Sequence, residues 1–142
     1  MNLPQLELRK ADGAPAPWPE LWQRQNLLLL IAHPDCETCR RVLRDWSRQR
    51  EELEAENTRP LVVFAEDPGP LDGGVEVILD PDGRLCDRLG VEPGTALAVD
   101  RYFEIRATED VHAVGADESA TDTLDWVKLA ERECPECGVP TW

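Results

Sequence analysis

Polar and apolar positions change rhythm several times along this chain, and each change predicts an element. Leu6 and Leu8 alternate with Glu7 and Arg9, a period of two that predicts a short strand, and Asp12-Gly13 supplies a turn after it. Pro15, Pro17 and Pro19 make the next stretch irregular, with one helical turn expected from Pro19 to Trp22. From Leu27 to Ala32 the chain is continuously apolar, as expected of a central strand buried on both faces. After Cys39 the period lengthens to that of a helix. Val42, Leu43, Trp46 and Leu53 share one face, while Arg40, Arg44, Arg48, Glu51 and Glu52 lie elsewhere. This predicts an amphipathic helix of roughly four turns ending before Pro60.

Leu61 to Ala65 reads as a second buried strand and Val75 to Leu79 as a third. Asp80-Pro81-Asp82-Gly83 turns the chain into a short helix carrying Leu85, Cys86 and Leu89, closed by Gly90. Thr95 to Val99 predicts a strand, and Asp100-Arg101 turns it into a partner from Tyr102 to Ala107. Asp110 to Ala120 reads as polar loop. Thr121 or Thr123 caps a last helix from about Leu124 to Glu133, with Leu124, Val127 and Ala130 inward. The fold class is therefore α/β: a mixed sheet flanked by helices, with a short N-terminal strand or hairpin extension. Residues 1–133 read as one domain and 134–142 as a tail.

The chain has 142 residues, enough for one core. A formal net charge of -14 argues against nucleic acid and against anionic membrane surfaces, both of which select clustered Lys and Arg. No secretory signal pattern opens the chain, so the cytoplasm is the expected compartment. There, CxxC spacing points to catalysis or metal binding rather than to structural disulfides.

Four of the five cysteines form such pairs: Cys36 with Cys39, and Cys134 with Cys137. The first pair falls between a buried strand and a helix, at the sheet edge where open α/β folds place their sites. It is a redox couple, part of a metal site, or inert. A helix N-terminus favours a thiolate at Cys36, and Arg40 and Arg41 add positive charge. Asp35 and Glu37 oppose it, which makes the reduced form less favourable and the couple reductant-like. His33 either tunes a thiolate or simply ends the strand. The tail pair, in CPEC, fits a redox relay, a tail disulfide, or half of a zinc knuckle. Zinc there needs further ligands from Cys36 and Cys39, a histidine or a second chain. Cys86 shares a face with Leu85 and Leu89 and reads as core. His112 reads as solvated, Trp46 and Trp126 as core, and one of Trp18, Trp22 and Trp142 as cover for the cysteine edge. Glu51, Glu52, Glu54 and Glu56 read as a solvated helix face.

Three stretches, LELRKADGAPAPWPELWQRQNLLLLIAHPDCETCRR, VEVILDPDGRLCDRLGV and GTALAVDRYFEIRAT, resemble the thioredoxin-like superfamily. The likeness is to its redoxin branch, which includes peroxiredoxins and cytochrome-maturation thioredoxins. The resemblance implies a thiol-disulfide oxidoreductase in which Cys36 attacks a disulfide and Cys39 resolves the mixed disulfide. It implies a protein or small-molecule disulfide as substrate, a thiol reductant or reductase as electron donor, and no organic cofactor. The alternative is a non-catalytic redoxin-fold module that binds zinc or senses oxidation through its paired cysteines. The chain departs from the family at Asp35 and Thr38, where Trp and Pro are common. Gly94 stands before Thr95, where active members usually carry a cis-proline. His33 occupies the place of a peroxiredoxin Thr or Ser, so an ordinary peroxidase activity is not expected.

Overall fold

Strand β2 (Asn26–Ile31) sets the architecture, because all six of its residues are buried. In a computed structural model that describes residues 1–71 and 75–132, it is a central strand of a six-stranded mixed sheet of order β1-β4-β3-β2-β5-β6. The other strands are β1 (Arg9–Lys10), β3 (Thr58–Phe64), β4 (Glu76–Leu79), β5 (Thr95–Val99) and β6 (Ile105–Asp110). β2, β3 and β4 are mutually parallel, and β5 runs antiparallel to β2 and to β6. This is the mixed thioredoxin-like α/β sheet expected from the sequence.

Alternation along β2 sends Leu28 and Leu30 into one core and Leu27, Leu29 and Ile31 into another. The first core holds α2 (Glu37–Arg48), α3 (Arg50–Ala55) and α6 (Ala116–Arg132), through Val42, Trp46, Leu53, Leu124 and Val127. The second holds α1 (Trp18–Leu21), α4 (Arg84–Leu89) and the N-terminal segment, through Leu3, Leu6, Leu8, Trp18 and Leu85. Burial of one such leucine is worth about 1.5–3 kcal/mol.

Several boundaries differ from those expected. The N-terminal hairpin does turn at Asp12-Gly13, but β1 follows Leu6 and Leu8, whose side chains anchor the second core instead. The single helix after Cys39 is broken at Gln49 into α2 and α3, with Leu53 still buried. β3 starts at Thr58 and contains Pro60. β4 joins it only from Leu61, so β3 is an edge at the proline, where a missing N–H is tolerated. The hairpin strand starts at Ile105 rather than Tyr102. The Asp100 carboxylate accepts the Tyr102 and Glu104 N–H groups and makes that stretch a turn.

The expected polar loop from Asp110 to Ala120 is helical. Asp110 caps α5 (Val111–Val114) by accepting the His112 N–H at 2.9 Å and the Ala113 N–H at 3.4 Å. Gly115, with φ +87°, separates α5 from α6, and buried Val111 and Ala116 anchor the corner. Thr123 is therefore not a cap but a buried residue inside α6, donating to Ser119 O at 2.7 Å. Trp46 is core, whereas Trp126 is 39% exposed. Cys86 is only partly buried, packed against the second core. Trp18 and Trp22 lie in edge-to-face contact with Phe103, near the Asp100 turn and away from the cysteines. Among the described residues no helix is long and apolar enough to cross a membrane.

Candidate redox site

The first cysteine pair sits where β2 hands over to α2. After Ile31 the chain passes through Ala32, His33 and Pro34. Asp35 then takes φ +53°, a left-handed conformation uncommon for a residue with a side chain. That kink delivers Cys36 to the N-cap of α2 in an extended conformation. Its Sγ accepts the Cys39 N–H at 3.3 Å, one of the donors that every helix start leaves unpaired. Both thiols are free, Cys36 half-buried and Cys39 buried at 1% exposure.

Cys39 faces the first core, and burial pushes its thiol up to about 12. A hydrogen bond with Cys36 and that neighbour's charge push the same way, and the main chain at His33 works against them. Cys39 therefore keeps its proton until something removes it. Cys36 faces the solvent edge, with the Nε2 of His112 3.7 Å from its sulfur. The two sulfurs and that nitrogen all lie within 4.8 Å of one another.

The remaining residues expected at the site fall into three groups. His33 and Gly94 are beside the thiols. The His33 and His112 rings are 5.2 Å apart between centroids, tilted by 57°. Gly94 lies beneath both: a Cβ placed there would meet His112 Cδ2 at 2.9 Å, His112 Nε2 at 3.0 Å and His33 Nε2 at 3.1 Å. Its φ of +93° and the absence of cis peptides among the described residues rule out a cis-proline-like loop. Gly94 N–H donates to Ile31 O at 2.6 Å and its carbonyl accepts the Val111 N–H at 2.9 Å. Glu37 and Arg40 form the rim. Glu37 is held by Arg44 at 2.6 Å, and with Arg40, Leu43 and Leu71 they line a shallow cleft of about 190 Å³. Thr95 follows Gly94 at the start of β5, and its hydroxyl donates to Glu92 O at 2.6 Å. Cys134 and Cys137, and with them the tail expectations and Trp142, lie outside the described residues.

His112 is the residue the sequence reading misplaced. It reaches Cys36 across 76 positions because the β5–β6 hairpin returns the chain to this edge and α5 starts there. The signal was Asp110: read as a helix cap, it places His112 in a first turn rather than in a loop.

The sheet order, the parallel β2-β3-β4 core and the cysteine pair at a helix start together define a thioredoxin-like redoxin fold. Solved structures with that fold superpose along nearly the whole chain. Peroxidoxin BcpB from Mycobacterium tuberculosis matches with a TM-score of 0.78 at 12% identity, covering 91% of this chain and 95% of its own. A Xanthomonas campestris peroxiredoxin Q matches at 0.77 and 13% identity, covering 93% and 98%. A putative thiol:disulfide interchange protein DsbE from Chlorobium tepidum matches at 0.66 and 14% identity, covering 87% and 95%. At these identities the likeness is one of fold. No family model and no curated protein sequence matches the chain.

Proposed function

We propose that this protein is a thiol-disulfide oxidoreductase of reductant-like character. The observation that carries this reading is the asymmetry of the pair: a half-exposed Cys36 Sγ at a helix N-cap, with buried Cys39 within bonding reach after a small rotation. The Cys36 thiolate attacks one sulfur of a substrate disulfide and expels the other as a thiolate, leaving a mixed disulfide. Cys39, once deprotonated, attacks Cys36 Sγ, releases the second substrate thiol and leaves a Cys36–Cys39 disulfide. Two electrons pass to the substrate, and an external thiol reductant restores the pair. His112 Nε2, 3.7 Å from Cys36 Sγ, is placed to take and return the Cys36 proton. Burial raises the Cys39 thiol and disfavours its thiolate, which supports reducing rather than oxidising character.

Insulin reduction by dithiothreitol tests this. The expected result is clear acceleration by the wild type, none by Cys36→Ser, and a trapped mixed disulfide with Cys39→Ser. A wild-type rate equal to dithiothreitol alone would sink the proposal. The double substitution Cys134→Ser/Cys137→Ser tests the tail relay: recycling should slow while the first attack keeps its rate.

One observation favours a second reading, a non-catalytic module that senses oxidation. Both main-chain groups of Gly94 are spent inside the protein, so a substrate strand has no pairing partner at that residue. Reversible oxidation of the pair without insulin turnover would select this reading.

A further inference from the structure

The triad Cys36, Cys39 and His112 also has the spacing of a metal site. Bond lengths of about 2.3 Å to sulfur and about 2.0–2.1 Å to nitrogen, at tetrahedral angles, separate a sulfur and a nitrogen on one zinc ion by about 3.6 Å. Cys36 Sγ and His112 Nε2 are 3.7 Å apart, and the Cys39 sulfur lies within 4.8 Å of both. The three donors come from three places in the chain: the N-cap of α2, its first turn, and the first turn of α5. CxxC spacing accounts for the two sulfurs, and the nitrogen arrives independently, from 76 positions away.

The surroundings hold the nitrogen donor in place. Asp110 accepts the His112 main-chain N–H and fixes the start of α5. Gly94 leaves room for the imidazole, which a side chain at that position would strike. The fourth position is left to water, with the His33 ring as a neighbour 5.2 Å from that of His112. Two thiolates and one imidazole form a soft, borderline donor set that suits zinc.

We propose that the reduced protein binds one zinc ion through Cys36 Sγ, Cys39 Sγ and His112 Nε2. Binding releases the two thiol protons and oxidises nothing. Forming the Cys36–Cys39 disulfide consumes both sulfur ligands, so oxidation expels the ion. The ligands are the groups that the proposed exchange uses, so bound zinc and turnover exclude one another, yet zinc can bind whether or not the pair exchanges disulfides.

The test uses the full chain carrying Cys134→Ser/Cys137→Ser, so that only this site is read, reduced and titrated with zinc against a chromophoric chelator. One equivalent is expected in the reduced protein and none after oxidation to the disulfide. His112→Ala should weaken binding at least about 10-fold, since even partners one shell further out are worth about 10–100-fold, and Cys36→Ser by more. His33→Ala should weaken it by less than His112→Ala. Cobalt in place of zinc gives a second readout: thiolate-to-cobalt absorption that falls by about half in Cys36→Ser, as expected when one of two sulfur ligands is lost. Gly94→Ala, with its circular dichroism unchanged, should reproduce the His112→Ala loss because it displaces the same ring. No zinc retained by the reduced protein, or an affinity unchanged by His112→Ala, would overturn the proposal. Insulin reduction in excess chelator reads the oxidoreductase activity separately, so either reading can fail alone.

Discussion

Two strand-to-helix junctions lie on the same edge of this sheet and solve the same problem differently. β2 and β4 both run parallel to β3, so α2 and α4 start at the same rim of the sheet, on opposite faces. Each helix begins with unpaired N–H groups. At α4 the buried Asp80 carboxylate takes two of them, Arg84 N–H at 3.1 Å and Leu85 N–H at 2.8 Å. At α2 the acceptor is the Cys36 sulfur, a weaker partner, taking Cys39 N–H at 3.3 Å. One junction puts its capping atom to structural use and hides it. The other puts a reactive atom at the N-cap itself, half-exposed and loosely held, whereas Asp80 reaches in from three residues before the Gly83 N-cap.

If that contrast is right, the two caps should differ most in stability. Asp80→Ala should cost about 2–3 kcal/mol, through a lost charged acceptor, the buried Leu85 donor left unpaired and the part-buried Arg84 donor left to solvent. Cys36→Ala should cost no more than about 0.5 kcal/mol. Urea unfolding under reducing conditions measures both, and equal losses would erase the distinction. A smaller effect of opposite sign should come from Cys36→Asp, which gives α2 the kind of cap α4 has. Stability should rise by about 0.5 kcal/mol, limited by repulsion from Asp35 and Glu37, while insulin reduction is lost.

The alkaline limb should separate the junctions more subtly. The folded state holds the Cys39 proton to about 12, whereas an unfolded cysteine releases it near 9.0. That contribution to stability is complete below about pH 9 and drains away as pH rises toward 12. Metal-free wild type should therefore lose stability between pH 9 and 10.5 by thermal melts, and Cys39→Ala should lose less over the same range. Identical slopes would show that the buried thiol is not the titrating group.

The sequence made the first of these junctions easy to find and the second half of the site hard to find. Six apolar residues from Leu27 to Ala32 admit little besides a buried strand, and a period change at Cys39 marks a helix. Gly90 as a helix end and Thr95–Val99 as a strand rest on equally local chemistry, and the structure has both. His112 rests on long-range pairing. Nothing near it is apolar in a regular period, and its neighbours Glu109 and Asp110 look like solvated loop. Only the register of β5 against β6, with Thr95 opposite Asp110, brings it back to Cys36. Trp126 misled for the opposite reason: it fits a helical period but falls on the outward side of α6. The break at Gln49 leaves no mark in the hydrophobic pattern, because Leu53 remains inward on both sides of the question.

Gly94 has one more consequence, and it concerns the routes by which this site can change. A proline at that position needs φ near −65°, has no N–H for Ile31 O, and carries a Cβ that would strike both imidazoles. Each obstacle is separate, so Gly94→Pro would strain the backbone, lose the bond to Ile31 and displace the imidazoles at once. A larger residue at 94 therefore asks for smaller or displaced rings at 33 and 112. The two imidazoles and the glycine beneath them are thus one steric unit: a side chain at position 94 cannot be added without moving a ring.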